Sequence, residues 1–198
     1  MPEMLRTFVA LPLSTETVEQ LAQVQRTLKR DCPPSAVTWV APTSIHLTLF
    51  FLGEILPELV APSQEALNVV ARHVAPFTFD VGHLGAFPSI QRPSAIWVGV
   101  QEPTGKLVLL HQVVNEALSK VGFQPETRKF SPHLTLGRVR RKATREESAA
   151  VGRAIAAMKV EHLATTPATE IIFFRSQLKP TGAEYTPLAK FGLVDGRQ

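Results

Sequence analysis

The sequence predicts an α+β fold: two pseudo-symmetric α/β lobes whose antiparallel sheets line a central cleft, with helices outside. Three observations point there. Short apolar runs of strand length alternate with amphipathic stretches of helix length along the whole chain. The tetrapeptide His-Leu-Thr-Leu occurs twice, at 46–49 and 133–136. Phe8 precedes His46 by 38 residues and Ile96 precedes His133 by 37, and each interval reads strand, helix, loop, strand. Each half then approximates β-α-β-β-α-β. No linker or low-complexity segment divides the 198 residues, so the expected organisation is a single two-lobed domain over 1–198 with one motif per lobe.

In chain order, Thr7–Leu13 reads as a buried strand stopped by Pro12. Ser14 and Glu16 cap and charge the start of a helix whose apolar positions Val18, Leu21, Val24 (or Gln25) and Leu28 carry it to about Arg30. Strands follow at Val37–Val40 and Ile45–Leu52, then a helix from about Pro57 to Val74. Phe77–Leu84 and Ala95–Val100 are strands; Leu107, Leu110, Val114, Leu118 and Val121 form the clearest helical stripe, with Gly122 at its C-cap. Pro132–Val139 is strand-like. Thr144 and Glu147 make a capping box for a helix through Val151, Ile155 and Met158. The last strands, Thr169–Leu178 and Tyr185–Phe191, flank a turn at Pro180-Thr181-Gly182.

Composition excludes several classes. With 44% hydrophobic and 19% charged residues the chain has enough apolar material to order itself. Its longest apolar runs fall far short of a membrane span, and Met1–Arg6 lacks a secretory pattern. One cysteine, Cys32, cannot form an internal disulfide. The expectation is a cytoplasmic protein, a monomer by default, with no membrane partner.

Charge is unevenly placed. The chain carries a net +4, yet Glu126–Arg145 alone carries +6 through Arg128, Lys129, Arg138, Arg140, Arg141, Lys142 and Arg145 against Glu126. Such a stretch attracts polyanions or phosphate esters, although a solvated basic loop would look the same.

The repeated motif separates these readings. A single His-x-Thr is expected about 0.5 times in this composition and means nothing, whereas His-Leu-Thr-Leu is expected only about 0.006 times. On a strand, His46 and Thr48 project from one face while Leu47 and Leu49 anchor the other, and His133 and Thr135 do the same against Leu134 and Leu136. Two such faces across one cleft present two imidazoles and two hydroxyls to a single small group. That set suits phosphodiester chemistry without a metal or other cofactor. One neutral imidazole takes a proton from water, a protonated one donates to the leaving oxygen, and the hydroxyls bond the non-bridging oxygens. The residues alone do not say which histidine is acid and which base.

The chain resembles the 2H phosphoesterase superfamily, and within it the RNA 2′,3′-cyclic phosphodiesterases, also called 2′-5′ RNA ligases. The likeness runs through Arg6-Thr7-Phe8-Val9-Ala10, His46–Glu54, Ile96-Trp97-Val98-Gly99, Gly122-Phe123, Phe130–Arg138 and Tyr185-Thr186-Pro187-Leu188. It implies metal-independent hydrolysis of a 2′,3′-cyclic phosphate on an RNA end, or on a related nucleotide, to a 2′-phosphomonoester. By that resemblance His46 is the proton donor and His133 the proton acceptor. Thr48 and Thr135 are phosphate ligands, and Arg128 and Arg138 are candidates for substrate contact. Simple alternation turns Arg138 away from His133 unless a bulge at Gly137 or the strand end turns it back, so Arg128 ranks higher. Two rivals stay open: a non-catalytic RNA- or nucleotide-binding module, and the same chemistry on small cyclic nucleotides, ADP-ribose cyclic phosphate or 2′-5′ linkages in the ligating sense.

Other residues read as structural. His73, His83, His111 and His162 have no catalytic neighbour in sequence, Cys32 is incidental, and no cluster has metal-ligand spacing. Phe50 and Phe51 point to opposite faces, so one faces the cleft, yet core is the better assignment for each.

Overall fold

The computed structural model describes residues 3–179 and 182–194. Nine strands and four α-helices follow one another as β1 (Leu5–Leu11), α1 (Thr15–Asp31), β2 (Val37–Trp39), β3 (Leu47–Ile55), α2 (Val60–Ala71), β4 (Phe77–Ser89), β5 (Arg92–Gln101), α3 (Lys106–Val121), β6 (His133–Val139), α4 (Arg145–Ala157), β7 (Ala164–Ala168), β8 (Glu170–Lys179) and β9 (Gly182–Gly192) among the described residues. All pairings are antiparallel. One sheet has the order β3-β1-β8-β9 and the other β2-β6-β5-β4-β7.

Local sequence explains most boundaries. Ser14 Oγ accepts the Thr17 N–H at 3.2 Å and opens α1. Thr144 and Glu147 exchange side-chain-to-backbone bonds of 3.1 and 2.7 Å at the start of α4. Gly122 ends α3 at φ +113°, a left-handed cap that favours glycine. Pro180 and Thr181 of the expected turn lie outside the described residues.

The two sheets interleave the halves of the chain. β4, from the first half, pairs with β5, and β8 and β9, from the second, extend the sheet of β1 and β3. Neither half closes a sheet of its own. The helices cross as well: α1 contacts β7 and α4 contacts β4 and β5, while α2 contacts β8 and β9 and α3 contacts β3. The reason lies in β1, whose Phe8–Leu11 are at most 2% exposed. A strand buried to that degree needs a partner on each edge, and β8 supplies the second. One short strand, β7, has no counterpart in the sequence reading. It is an edge strand holding Pro167, in a position that tolerates a missing N–H.

No helix among the described residues is long and apolar enough to cross a membrane.

Candidate active site

Strands β3 and β6 hold the two motifs in the same way. Leu47 and Leu49 are buried at 1% and 3%, and Leu134 and Leu136 are fully buried. Thr48 and Thr135 are half-buried on the opposite face. Their cross-strand neighbours also correspond: Ala10 stands opposite Thr48, and Trp97 opposite Thr135.

Both strands are bulged at the second leucine. In β3 the register passes from Thr48 to Phe50, leaving Leu49 without a partner on β1; in β6 it passes from Thr135 to Gly137, leaving Leu136 without one on β5. A bulge inverts the alternation beyond it. Two consecutive residues then point inward, Leu49-Phe50 in one lobe and Leu136-Gly137 in the other, and the next residue faces the cleft. That residue is Phe51 in β3 and Arg138 in β6, and both line the cleft.

This corrects two expectations. Arg138 is turned back by a bulge, located at Leu136 rather than Gly137. Phe51 is not core: it is 61% exposed, whereas Phe50 is 4% exposed.

Each imidazole is oriented by the carbonyl two residues before it. His46 Nδ1 lies 2.9 Å from Ser44 O, and His133 Nδ1 lies 2.7 Å from Ser131 O. A carbonyl only accepts, so Nδ1 carries the hydrogen in both rings. Nε2 is the nitrogen left for the cleft, basic when the ring is neutral and a donor when it is charged.

The surroundings of the rings differ. His46 stacks on Phe8 at 4.6 Å and meets Tyr185 edge-on at 5.1 Å. Desolvation by this aromatic packing pulls the His46 pKa below the ordinary imidazole value, and the Ser44 carbonyl opposes it. His133 meets Phe87 edge-on at 4.9 Å.

One cleft of about 670 Å³ is lined by His46, Thr48, Arg128, His133, Thr135 and Arg138, all six residues singled out from the sequence. Arg6, Lys129 and Tyr185 also line it. Four cations thus face a single carboxylate, Glu126, which fits an anionic ligand. Burial raises the Tyr185 phenol, while Arg6 and Arg138 pull it down, so both guanidinium charges act at that hydroxyl. Arg6 and Tyr185 were missed as site residues; each sits in a stretch that carries the family likeness, which was the available signal.

Arg128 and Lys129 ride on the loop between α3 and β6. Asn115 pins that loop, accepting the Glu126 N–H at 2.8 Å and donating to Glu126 O at 3.2 Å. His111 packs flat under Phe130 at 4.0 Å, and burial lowers its pKa against the pull of Glu126.

The other sequence-flagged groups lie elsewhere. His73 Nδ1 bonds Val69 O at 2.7 Å, and His162 sits 3.5 Å from Asp80. Among the described residues no group of three or more His, Cys, Asp or Glu side chains is placed to hold a metal ion.

A family model described as LigT like Phosphoesterase matches the chain twice, over residues 11–97 and 98–185. An RNA 2′,3′-cyclic phosphodiesterase of Geobacillus stearothermophilus is 32% identical over 200 residues, covering 96% of this chain but 59% of that longer protein. The protein of the same name from Thermus thermophilus is 33% identical over 96% of this chain and 90% of its own. Among solved structures, E. coli LigT complexed with 3′-AMP superposes with a TM-score of 0.73 at 26% identity, covering 96% of this chain and 99% of that one.

Proposed function

Because this chain belongs to the LigT-like phosphoesterase family, we propose that its cleft hydrolyses the 2′,3′-cyclic phosphate at an RNA end to a 2′-phosphomonoester. One observation carries the reading: two equivalent His-x-Thr faces, each imidazole held by the same Nδ1-to-carbonyl bond, open onto one cationic cleft. Relatives named RNA 2′,3′-cyclic phosphodiesterase and the 3′-AMP complex of E. coli LigT support a nucleotide phosphate as the ligand class.

The reaction is a displacement at phosphorus. Water forms a new P–O bond as the P–O3′ bond breaks. His133 Nε2 takes the proton from the attacking water, and His46 Nε2 gives one to the departing 3′-oxygen. The two proton transfers leave His46 neutral and His133 charged, and exchange with solvent resets both. Thr48 and Thr135 donate hydrogen bonds to the non-bridging oxygens, where charge builds. Arg128 and Arg138 offer charge-assisted bonds to the same oxygens.

The low pKa of His46 bears on its role as donor. In the free protein desolvation favours its neutral form. A bound cyclic phosphate carries a negative charge and favours the imidazolium, so the acid is generated where and when substrate is present.

The test is an RNA oligonucleotide ending in a 2′,3′-cyclic phosphate, incubated with a chelator present. The expected product is a 2′-monophosphate, identified by mass and phosphatase sensitivity and absent with His46→Ala or His133→Ala. RNA bound without turnover would replace the enzyme with a binding module; neither binding nor turnover would point to a different ester.

A further inference from the structure

A second groove adjoins the cleft. Its volume is about 1010 Å³, larger than the cleft's 670 Å³. The two share Ser44, His46, Arg138 and Tyr185 as walls, so they lie side by side. Thr48, His133 and Thr135 line the cleft and not the groove. The groove therefore leads away from the reacting centre past His46.

Its lining differs from that of a packing defect. Trp39 of β2 forms part of the wall, with Lys29 Nζ of α1 5.7 Å from its ring centroid. Arg138 and Arg140 stand at the end of β6, and Lys179 is ion-paired to Glu184 across the β8–β9 hairpin. Among the described residues Lys29, Arg138 and Arg140 take part in no ion pair. Three cations without an ion-pair partner among the described residues thus line the same groove as an indole. Single-stranded nucleic acid is matched by this combination, since cations track its phosphates and an aromatic face stacks a base of any identity. A terminal cyclic phosphate also leaves an RNA chain only one continuation, in the 5′ direction. With the last nucleotide in the cleft, the preceding ones need an adjoining cationic surface, and the groove offers one.

We propose that this groove binds the RNA chain on the 5′ side of the cyclic end, with Trp39 as a base platform and Lys29 and Arg140 as phosphate contacts. Arg138 stands at the junction and serves both compartments. The inference rests on the cyclic-phosphate reading of the cleft, and makes the preferred substrate an oligonucleotide rather than a mononucleotide.

The experiment compares adenosine 2′,3′-cyclic phosphate with a pentaadenylate bearing the same end, for the wild type and the double variant Lys29→Ala/Arg140→Ala. The expected result is a lower KM for the pentaadenylate in the wild type. The variant should raise that KM by about 5- to 25-fold, the effect of two exposed charge contacts, and flatten its salt dependence. Its KM for the mononucleotide and its melting temperature should stay unchanged. Equal KM values for the two substrates, or a variant that leaves the pentaadenylate KM where it was, would overturn the groove while leaving the cleft chemistry intact. No turnover of either substrate would overturn both.

A second readout avoids catalysis. Trp39 and Trp97 are the chain's two tryptophans, so in a Trp97→Phe variant all indole emission comes from Trp39. That emission should change on adding a pentaadenylate ending in a 2′-phosphate and not on adding adenosine 2′-phosphate. The same response to both, or none to either, would remove Trp39 from the site.

Discussion

Leu49 and Leu136 are the same residue twice: each closes a His-Leu-Thr-Leu motif, each is buried, and each stands unpaired in a bulge. The pair sets the composition of the cleft wall. Strict alternation would follow the histidine and threonine with Phe50 in one lobe and Gly137 in the other. The bulge turns those residues inward and puts the next one in their place, Phe51 in one lobe and Arg138 in the other. An apolar, exposed ring on one wall and a guanidinium on the other make the cleft two-sided, although the motifs themselves are equivalent.

Arg138 therefore ranks with the histidines as a residue to test. Its charge acts at Tyr185 beside His46, and its own strand begins at His133. Arg138→Ala should lower kcat/KM by about 10- to 100-fold, the loss expected for one charge-assisted hydrogen bond to phosphate. Arg138→Lys should recover only part, because an ammonium lacks the planar fork. Steady-state kinetics on a cyclic-phosphate mononucleotide decides it: an alanine variant with full activity would leave Arg138 outside the site.

The bulge at Leu136 has its own support. Gln25 is 1% exposed, and its Nε2 donates at 2.8 Å to Leu136 O and at 2.8 Å to Val40 O, while the Val40 N–H also bonds Leu136 O at 2.9 Å. The Leu136 carbonyl, on the β2 side of β6 and so across the strand from the β5 bulge, is thus satisfied from α1 and from the residue after β2. Gln25→Glu would aim an acceptor-only carboxylate at two carbonyl oxygens inside the protein. It should cost about 3 kcal/mol or more, a fall in melting temperature of roughly 6–12 °C for a chain of this size. Gln25→Leu removes the donor without adding a charge and should lose less. Equal melting curves for the wild type and the glutamate variant would refute this account of the bulge.

Much of this was legible in the sequence because it is written in local signals. Ser14, Thr144 with Glu147, and Gly122 mark helix ends by chemistry that acts within four residues, and both motifs stand out by repetition. The bulges were not legible. Leu49-Phe50 and Leu136-Gly137 are apolar or small runs, in which a shift of alternation leaves no polar residue out of place to reveal it. Strand β7 was hidden for the opposite reason, since Ala164–Ala168 holds threonines and a proline and lacks an apolar run. The exchange of β4 and β8 between sheets depends on long-range pairing, which no periodicity records.

Cys32 gives a test of burial with no bearing on catalysis. It is 5% exposed, and burial, aided by the charge of Asp31, raises its thiol pKa to about 11. At pH 8 the reactive thiolate is then a minor species, and the sulfur is also shielded. A thiol reagent such as iodoacetamide should label the native protein at pH 8 at least tenfold more slowly than the denatured chain. Equal rates would mean that the segment after α1 is open.

The pH dependence tests the two-histidine scheme most sharply. An acid must be protonated to act, so activity falls as pH rises through the pKa of His46. In the free protein that pKa lies below the ordinary imidazole value, and kcat/KM reports the free enzyme. With cyclic phosphate bound, the negative charge favours the imidazolium and moves the same pKa upward, and kcat reports that complex. Both profiles should therefore be bell-shaped, and the limb that His46 governs should lie at higher pH in kcat than in kcat/KM. His46→Ala should remove that limb along with about 10²- to 10⁴-fold of the rate. A His46 limb at the same pH in both profiles would mean that substrate does not charge His46.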